Sequence, residues 1–314
     1  MNAPLIVVAG PTGSGKSGLA VDLALAFGGE IVNCDSVQVY RHLNIGAAKL
    51  PEAERQGVPH HLIDVVEPDH VFTAGEYLRL GRAVLSQIRE RRRIPIVTGG
   101  TGLYLKALLE GLFEGPRRSE SLRARLSRRA EQKGTSYLHR LLARVDSSSA
   151  RNISPNDKPK MIRALEVYFL TSVPISRHFA LGRDPLQGFG VLQIGLNPPR
   201  QQLYEFIDRR VEEMFATGLV PEVQTICSSF GADLKPLQSL GYAQTVAYLR
   251  GEIGLAEAVA LTQRQTHQYA KRQLTWFRRD NEIAWFEGFG SEPSIRAAAR
   301  DLVSKFLARS QSPL

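Results

Sequence analysis

Cysteine is scarce in this chain of 314 residues, which contains only Cys34 and Cys227. Two cysteines cannot form a disulfide framework, and by themselves they cannot build a Cys₄ or Cys₂His₂ zinc site. His60 and His61 are adjacent, but the sequence offers them no convincing set of further metal ligands. The scarcity favours a reduced, cytoplasmic setting, in which we expect Cys34 to be a small buried residue.

Long hydrophobic runs are also missing. Hydrophobic residues make up 43% of the chain, which is enough for a proper core, but no segment is long and apolar enough to span a membrane. The first four residues carry no basic n-region, and the apolar run that follows is too short for a signal peptide. We therefore expect no membrane association, and we predict that residues 5–9 form the first strand.

Acidic residues are too few to balance the basic ones. There are 31 Asp and Glu residues against 40 Lys and Arg residues, which gives a formal net charge of +9. An excess of this size favours a polyanionic partner. Many basic proteins bind no polyanion, so composition alone does not identify nucleic acid.

A glycine-rich loop follows the first predicted strand: Gly10-Pro11-Thr12-Gly13-Ser14-Gly15-Lys16-Ser17. Because it also precedes a helical pattern, it has the context of a phosphate-binding P-loop. Its backbone N–H groups and the following helix N-terminus suit an anion. Lys16 would neutralise the terminal phosphate, and the Ser17 hydroxyl would bind Mg²⁺. The motif predicts a polyphosphate ligand and does not require a nucleotide.

The surrounding pattern predicts an α/β fold. Short apolar runs at 31–34 and 94–98 alternate with a helical pattern at 77–88, which is typical of a parallel sheet with helices on both faces. We predict a P-loop NTPase-like core. Ligands of such sheets bind at the carboxyl ends of the strands, so the P-loop, Asp35-Ser36 and residues 98–101 should converge.

The second half of the chain has a different character. Residues 117–144 are arginine-rich and helix-like, a turn-rich link follows at 152–157, and another helix is expected near 160–170. We predict a helical insertion over 116–189, and a core made of 1–115 together with 190–314. A strand at 191–196 would return to the sheet, and the remainder would be a mostly helical C-terminal part.

Three polar residues beside the loop are candidate site residues, and each has a simpler alternative. Asp35 could be a general base, or a helix cap or outer-sphere Mg²⁺ carboxylate. Gln38 could hydrogen-bond an adenine edge, or be an ordinary surface residue. Thr101, in Gly99-Gly100-Thr101-Gly102, could approach a ligand closely, or belong to a plain tight turn.

The segment 264–279 is basic, with interleaved aromatic and glutamine residues. Cations neutralise phosphates and aromatic rings stack on bases, so this mixture suits a nucleic-acid groove. The alternative is an amphipathic helix with Trp276 and Phe277 in the core. The two interpretations can hold together on different faces of one helix.

Together these residues resemble the tRNA dimethylallyltransferase (tRNA isopentenyltransferase) family of bacterial type. The matching motifs run in order over roughly residues 5–280. They are Gly10 to Ser17, Asp35-Ser36-Val37-Gln38-Val39-Tyr40-Arg41, Ile45-Gly46-Ala47-Ala48-Lys49, Pro59-His60-His61-Leu62-Ile63-Asp64, Gly99-Gly100-Thr101-Gly102-Leu103-Tyr104, Arg163-Ala164-Leu165-Glu166-Val167, Gly241-Tyr242 and Ala270-Lys271-Arg272-Gln273-Leu274-Thr275-Trp276.

The resemblance implies an activity: transfer of the dimethylallyl group from dimethylallyl diphosphate to N6 of the adenine 3′ of the tRNA anticodon (position 37), with release of pyrophosphate. The P-loop, Gly10 to Ser17, would hold the pyrophosphate, with Mg²⁺ on Ser17. Partners would be dimethylallyl diphosphate and the anticodon stem-loop, and the protein would be a cytoplasmic monomer.

The resemblance also implies roles for individual residues. Asp35 would be the general base, Thr101 would hydrogen-bond near the bridging oxygen, and Lys16 and Arg210 would offset charge on the leaving group. Arg210 is placed by its position four residues before Met214, although Arg209 is adjacent. Residues implied in tRNA binding are Asp35, Ser36, Gln38, Arg163, Lys271, Arg272 and Gln273, together with the insertion.

Several positions depart from the family pattern. Gly13 and Ser17 replace the usual Ala and Thr, and Ser17 keeps the hydroxyl. Ala47 replaces Thr, while Phe206 and His267 stand where Arg is usual. These departures affect details of phosphate contact rather than the reaction.

Other functions remain open from the residues alone. A small-molecule P-loop kinase explains the glycine loop equally well, but not Gln38 or the Lys271-Arg272-Gln273 segment. An isopentenyltransferase acting on free adenosine phosphates would not need the long basic C-terminal half. An RNA-binding regulator with a vestigial P-loop would not need Lys16, Ser17, Asp35 and Thr101 together.

Overall fold

The computed structural model describes residues 2–311 of the chain, and these form two compact units. The first unit contains the residues up to Leu109 and those from Leu186 onward, and the second is Glu110–Pro185. From the sequence we placed these boundaries after residues 115 and 189. No helix among residues 2–311 is long and apolar enough to cross a membrane.

The first unit is built on a six-stranded parallel sheet with the order β3-β2-β4-β1-β5-β6. Four of the strands arise from the apolar runs predicted above, and the short strands β3 and β6 at the two edges were not predicted. The strands are β1 (Ala3–Ala9), β2 (Gly29–Asn33), β3 (His60–His61), β4 (Ile94–Thr98), β5 (Phe189–Leu196) and β6 (Ile283–Phe286).

Strand β1 lies inside the sheet and is buried on both faces. Its residue Ile6 is in register with Ile96 of β4 and with Leu192 of β5. Successive side chains of a strand point to opposite faces: Leu5 and Val7 join one hydrophobic core, while Ile6 joins the other. A strand between two cores must be apolar throughout, which explains the unbroken run.

Helices cover both faces of this sheet and make up most of the second unit. Helix α1 packs on one face with α13, while α2, α10 and α11 contribute to the core on the other face. The helices are α1 (Lys16–Phe27), α2 (Ala74–Glu90), α3 (Gly102–Glu110), α4 (Glu120–Lys133), α5 (Thr135–Val145), α6 (Ser147–Asn152), α7 (Lys158–Thr171), α8 (Ile175–Ala180), α9 (Arg200–Thr217), α10 (Leu219–Phe230), α11 (Tyr242–Leu249), α12 (Leu255–Phe277) and α13 (Pro293–Gln311).

The second unit has its own core. Leucines of α4 and α5, including Leu126 and Leu138, pack against apolar residues of α7. Glu166 of α7 is fully buried, and it accepts hydrogen bonds from Arg123 at 2.9 Å and Arg163 at 2.8 Å. A buried carboxylate needs such partners to offset its loss of hydration, so Arg163 has a structural contact within this unit.

Candidate active site at the carboxyl edge of the sheet

The glycine loop connects β1 to α1. Gly13 and Gly15 have φ values of 81° and 83°, in the left-handed region that favours glycine. A Cβ on Gly10 would lie 2.9 Å from the Leu196 carbonyl oxygen of β5. Inside the loop, the Ser14 hydroxyl donates to the Pro11 carbonyl at 2.9 Å. The loop therefore has the tight, side-chain-poor geometry in which backbone N–H groups can approach an anion.

Lys16 begins α1 and lies next to two other charged groups of the site. Its ammonium group donates to the Pro11 carbonyl at 2.6 Å. Burial lowers the pKa of Lys16 to about 8, with the Asp35 carboxylate opposing this shift and the Arg210 guanidinium adding to it. The Lys16 ammonium, the Arg210 guanidinium and the Asp35 carboxylate therefore interact electrostatically beside the glycine loop.

Asp35 follows β2 at the expected edge of the sheet. Its Oδ1 accepts hydrogen bonds from the N–H groups of Val37 at 2.8 Å and Gln38 at 3.3 Å. No helix follows, so the carboxylate stabilises a turn rather than a helix N-terminus. Among residues 2–311 the hydrogen bonds to the Asp35 carboxylate reach only Oδ1, while the residue lines two cavities described below.

Thr101 connects the ends of β2 and β4. Its N–H donates to the Cys34 carbonyl at 3.1 Å, and its hydroxyl accepts from the Ser36 N–H at 3.0 Å. A Cβ on Gly99 would lie only 2.1 Å from the Cys34 carbonyl oxygen, so no other residue fits there. The structure thereby brings Asp35, Ser36 and Thr101 together, as the sequence predicted.

Gln273 of α12 connects the P-loop to the segment after β4. Its side-chain oxygen accepts from the Thr12 N–H at 2.8 Å, and its side-chain nitrogen donates to the Gly100 carbonyl at 2.8 Å. The residue is only 5% exposed. A Cβ on Gly100 would lie 2.0 Å from the Gln273 amide nitrogen. Gln273 therefore positions the glycine loop and the loop after β4 from a buried location.

Two cavities meet at these residues. The larger, of about 770 Å³, is lined by the P-loop with Lys16 and Ser17, and the smaller, of about 390 Å³, has Val37 and Ile207 in its wall. Asp35 and Arg210 line both cavities. Burial lowers the pKa of Arg210, and the Asp35 carboxylate opposes this change. The Asp35 carboxylate and the half-buried Arg210 guanidinium thus lie where the two cavities adjoin.

Tyr269 is a site residue that the sequence reasoning missed. It lies one helical turn before Gln273 on α12 and lines both cavities. Burial raises the pKa of its phenol, the Asp35 carboxylate adds to the rise, and contacts with Thr101 and Gln273 oppose it. The phenol therefore keeps its proton at neutral pH. The only sequence signal was its place within the 264–279 segment.

The loop around Ala47 is held by Tyr242 and Glu222, whose contact the sequence reasoning missed. Tyr242 accepts from the Ala47 N–H at 3.0 Å and donates to Glu222 at 2.7 Å, and Glu222 also accepts from the Ile45 N–H at 2.8 Å. A Cβ on Gly46 would lie 2.6 Å from the Tyr242 ring. The motif Gly241-Tyr242 was a sequence signal for this contact, but its partner was not evident.

Gln38 lines the larger cavity. Its side-chain nitrogen donates to the carbonyls of Ala47 at 3.0 Å and Ala48 at 3.3 Å. Ala47 has no hydroxyl to offer the cavity, and the Gln38 amide lies against its carbonyl. Gln38 is therefore not a freely solvated surface residue, which was the alternative left open by the sequence.

The donor atoms at the P-loop fit Mg²⁺ only in company with a ligand. Ser17 is exposed at the start of α1 and lines the larger cavity with Asp35. Within residues 2–311 no group of three or more His, Cys, Asp or Glu side chains could hold a metal ion. Mg²⁺ commonly keeps several waters and binds through one or two protein groups plus phosphate oxygens, which is the arrangement this site allows.

The candidate RNA-binding residues lie in different places. Lys271 and Arg272 are exposed on α12, Ser36 and Gln38 are half-buried at the cavities, and Arg163 belongs to the second unit. Of the two aromatic residues assigned to the core by the amphipathic-helix alternative, Phe277 is buried at 3% exposure. Trp276 is 41% exposed, so that alternative is wrong for Trp276.

Phe206 and His267, two departures from the family pattern, lie on α9 and α12. His267 pairs with Asp208 at 2.8 Å and stacks on Tyr204, with ring centroids 4.0 Å apart. Phe206 is 38% exposed and lines the larger cavity. His267 therefore packs α12 against α9, and Phe206 gives the larger cavity an apolar wall.

Comparison with known proteins places this architecture in one family. The sequence model described as IPP transferase matches residues 38–280. A tRNA dimethylallyltransferase from Solibacter usitatus is 54% identical over 307 residues, covering 98% of this chain and 100% of the relative. One from Koribacter versatilis is 52% identical over 304 residues, covering 96% of this chain and 99% of the relative.

Solved structures agree with the sequence relatives. The full-length tRNA isopentenylpyrophosphate transferase of Bacillus halodurans superimposes with a TM-score of 0.73 at 34% identity, covering 98% of this chain and 97% of that one. A eukaryotic dimethylallyltransferase acting on tRNA gives a TM-score of 0.82 at 26% identity, covering 99% of this chain and 81% of that one. The chain therefore belongs to the IPP transferase family.

Proposed function

We propose that this protein transfers the dimethylallyl group of dimethylallyl diphosphate to N6 of the adenine 3′ of the anticodon in tRNA, releasing pyrophosphate. The family and the relatives named above favour this reaction over a P-loop kinase and over an enzyme acting on free adenosine phosphates. The single observation that carries the proposal for this site is the wall of Asp35 and Arg210 shared by two cavities.

The two cavities suit the two substrates. The larger one, with the P-loop and Lys16, would hold the diphosphate, since its donors and charge favour an anion. The smaller one would receive the adenine, flipped out of the anticodon loop. A reacting carbon at the junction would then lie beside Asp35, with the leaving oxygens on the side of the cations.

The chemistry is one alkyl transfer. The N6 lone pair forms a bond to the allylic carbon, and the bond from that carbon to the bridging oxygen breaks and leaves its electrons on pyrophosphate. Because the N6 lone pair is delocalised into the ring, the amine is a weak nucleophile. Asp35 would take the N6 proton as the new bond forms, which avoids a cationic product.

The remaining residues would act on the leaving group. Lys16 and Arg210 would offset the charge that grows on pyrophosphate, and a partly buried setting strengthens that effect. Thr101 would donate its hydroxyl hydrogen near the bridging oxygen. Mg²⁺, held by Ser17 and the diphosphate, would supply further charge neutralisation when bound. Ser36, in the wall of the smaller cavity, would help to hold the adenine. Gln38 lines the larger cavity rather than the smaller one, and its amide nitrogen already donates to the Ala47 and Ala48 carbonyls, so it would contact the adenine through its side-chain oxygen.

The experiment that tests this function uses labelled dimethylallyl diphosphate, Mg²⁺ and three acceptors in parallel. They are unmodified tRNA with adenine 3′ of the anticodon, the same tRNA with that adenine replaced, and free AMP. We expect label on the first tRNA alone. Label on AMP would indicate the free-nucleotide enzyme. No transfer to any acceptor, together with turnover of ATP in a companion reaction, would indicate a kinase.

We also propose that the protein works as a cytoplasmic monomer. The reactive residues Asp35, Thr101, Lys16 and Arg210 all come from the first unit of one chain, so no second copy is required to complete the site. Light scattering during size-exclusion chromatography, with and without tRNA, measures the mass that tests this.

A further inference from the structure

One face of α12 carries a groove outside the two cavities. The groove has a volume of about 470 Å³. We call it the α12 groove, and its lining residues are Gln268, Lys271, Arg272, Thr275, Trp276 and Arg279. The spacing of three and four residues places five of them along a single side of α12, and Arg279 lies in the turn directly after the helix.

The α12 groove is positively charged. Three of the six residues are cations and none is acidic. Trp276 is the one large apolar side chain among them, and it is 41% exposed. A cationic groove with an exposed aromatic ring suits single-stranded nucleic acid, because cations track the phosphates and a ring stacks on a base.

One edge of the Trp276 indole packs against the start of α3. A Cβ on Gly102, the first residue of α3, would lie 2.2 Å from the indole nitrogen. Only glycine therefore allows the ring to lie so close to the start of α3. A ring held on one side and exposed on the other loses little conformational entropy when a base stacks on it.

The groove continues into the smaller cavity through Arg272. Arg272 lines both spaces, and its guanidinium lies over the Tyr269 ring, 5.7 Å from the ring centroid. Tyr269 in turn lines both cavities with Asp35. A strand whose flipped base reaches Asp35 would therefore leave the cavity past Arg272 and reach Trp276.

We propose that Trp276 is a base-stacking subsite for an unpaired nucleotide adjacent to the target adenine in the anticodon loop. The proposal rests on the proposed function for the identity of the RNA. Trp276 does not touch the reacting atoms in this account. It holds a neighbouring base outside the cavity, and so it helps to set which adenine of a loop enters.

The test measures energetic coupling between Trp276 and individual nucleotides. Three RNA stem-loops are compared: the intact loop, and loops with an abasic nucleotide directly 5′ or directly 3′ of the target adenine. Each is titrated against the parent protein, Trp276→Ala and Trp276→Phe. Leu255→Ala, at an equally exposed apolar residue at the start of the same helix, is the matched control.

Stacking on an aromatic side chain predicts that Trp276→Ala weakens binding of the intact loop roughly 5- to 100-fold, and that Trp276→Phe recovers most of this. One of the two abasic loops should bind the parent more weakly than the intact loop does. That abasic loop should bind the parent and Trp276→Ala with the same affinity. If each abasic loop lowers the affinity, relative to the intact loop, by the same factor in the parent and in Trp276→Ala, the stacking subsite is ruled out.

A fluorescence measurement separates this proposal from the proposed function and avoids relying on Trp276→Ala folding. In a Trp285→Phe background, Trp276 is the only tryptophan left in the chain. Quenching by the intact loop without any transfer would support the subsite and overturn the function. Transfer without quenching or coupling would overturn the subsite and leave the function standing.

Discussion

The side chain of Gln273 accepts a hydrogen bond from the backbone N–H of Thr12 at 2.8 Å, across a separation of 261 residues. The same amide donates to the Gly100 carbonyl. The glycine loop after β1 and the loop that carries Thr101 are therefore set relative to each other by one buried side chain of α12.

Replacing Gln273 with Ala should reduce both stability and transfer. The change leaves the Thr12 N–H and the Gly100 carbonyl without their buried partner, and an unsatisfied buried polar group costs about 1–3 kcal/mol. Denaturant unfolding measures the loss, and steady-state kinetics should show a lower kcat. Gln224→Ala, on the exposed surface of α10, is the control. Normal stability and kcat with weaker RNA binding would instead make Gln273 a direct RNA contact.

Lys16 should give the reaction an alkaline limb. Burial lowers the pKa of Lys16 to about 8, so the ammonium is charged below that pH and loses its charge as pH rises through it. Because kcat/KM reports the free enzyme, kcat/KM for dimethylallyl diphosphate should fall above about pH 8. In Lys16→Arg the cation persists, so the fall should move to higher pH. An unchanged limb in Lys16→Arg would assign it to another group.

Glu30 should make the protein sensitive to acid. A hydrogen bond from Arg91 lowers the pKa of this carboxyl, burial opposes the change, and His61 adds to it. A lowered folded-state pKa gives stability that is present above the unfolded value of about 4.3 and lost as pH falls through the folded value. The free energy of unfolding should therefore fall less steeply with acid in Glu30→Gln than in the parent.

Urea titrations at several pH values provide this comparison. Glu205→Gln, on an exposed position of α9, is the matched variant and should behave like the parent. Identical acid slopes for the parent and Glu30→Gln would show that the Glu30 cluster with Arg91 and His61 does not contribute to acid stability.

Binding of tRNA should weaken steeply as salt rises. The basic segments 117–133 and 264–279 are proposed to neutralise RNA phosphates, and this releases counterions. Lys271→Gln should reduce the slope of log affinity against log salt concentration by about one. Lys305→Gln, on α13, serves as the control. A flat salt response of the parent would remove the role given to both segments.

Much of the fold could be predicted from local sequence. The runs at β1, β2, β4 and β5 lie inside a parallel sheet and are therefore mostly apolar. The polar residues within them are buried: Glu30 and Asn33 of β2, Gln193 of β5 and Thr98 of β4. Strand β3 is only His60–His61, and β6 is Ile283–Phe286 at the opposite edge. Strand β3 carries no apolar run. The four apolar residues of β6 form a run as long as the one at 31–34, but they follow a long helical stretch, and only their pairing with β5 identifies them as a strand.

The same distinction separates the predicted site residues from the missed ones. The P-loop, Asp35 and Thr101 follow strands whose carboxyl ends must meet, so their proximity was predictable. The burial of Gln273 depends on a contact with Gly100, 173 residues away in the chain. The roles of Tyr269 and of Glu222 with Tyr242 depend likewise on how separate helices pack, which no local pattern records.

The most direct measurement of the central claim is mass spectrometry of nucleosides and nuclease fragments from tRNA treated with dimethylallyl diphosphate. The parent should place one dimethylallyl group on N6 of the adenine 3′ of the anticodon. Asp35→Asn keeps an oxygen for the Val37 and Gln38 N–H groups but accepts no proton, so transfer should fall about 10²- to 10⁴-fold while tRNA binding persists. A product at another base, or full transfer by Asp35→Asn, would contradict the account.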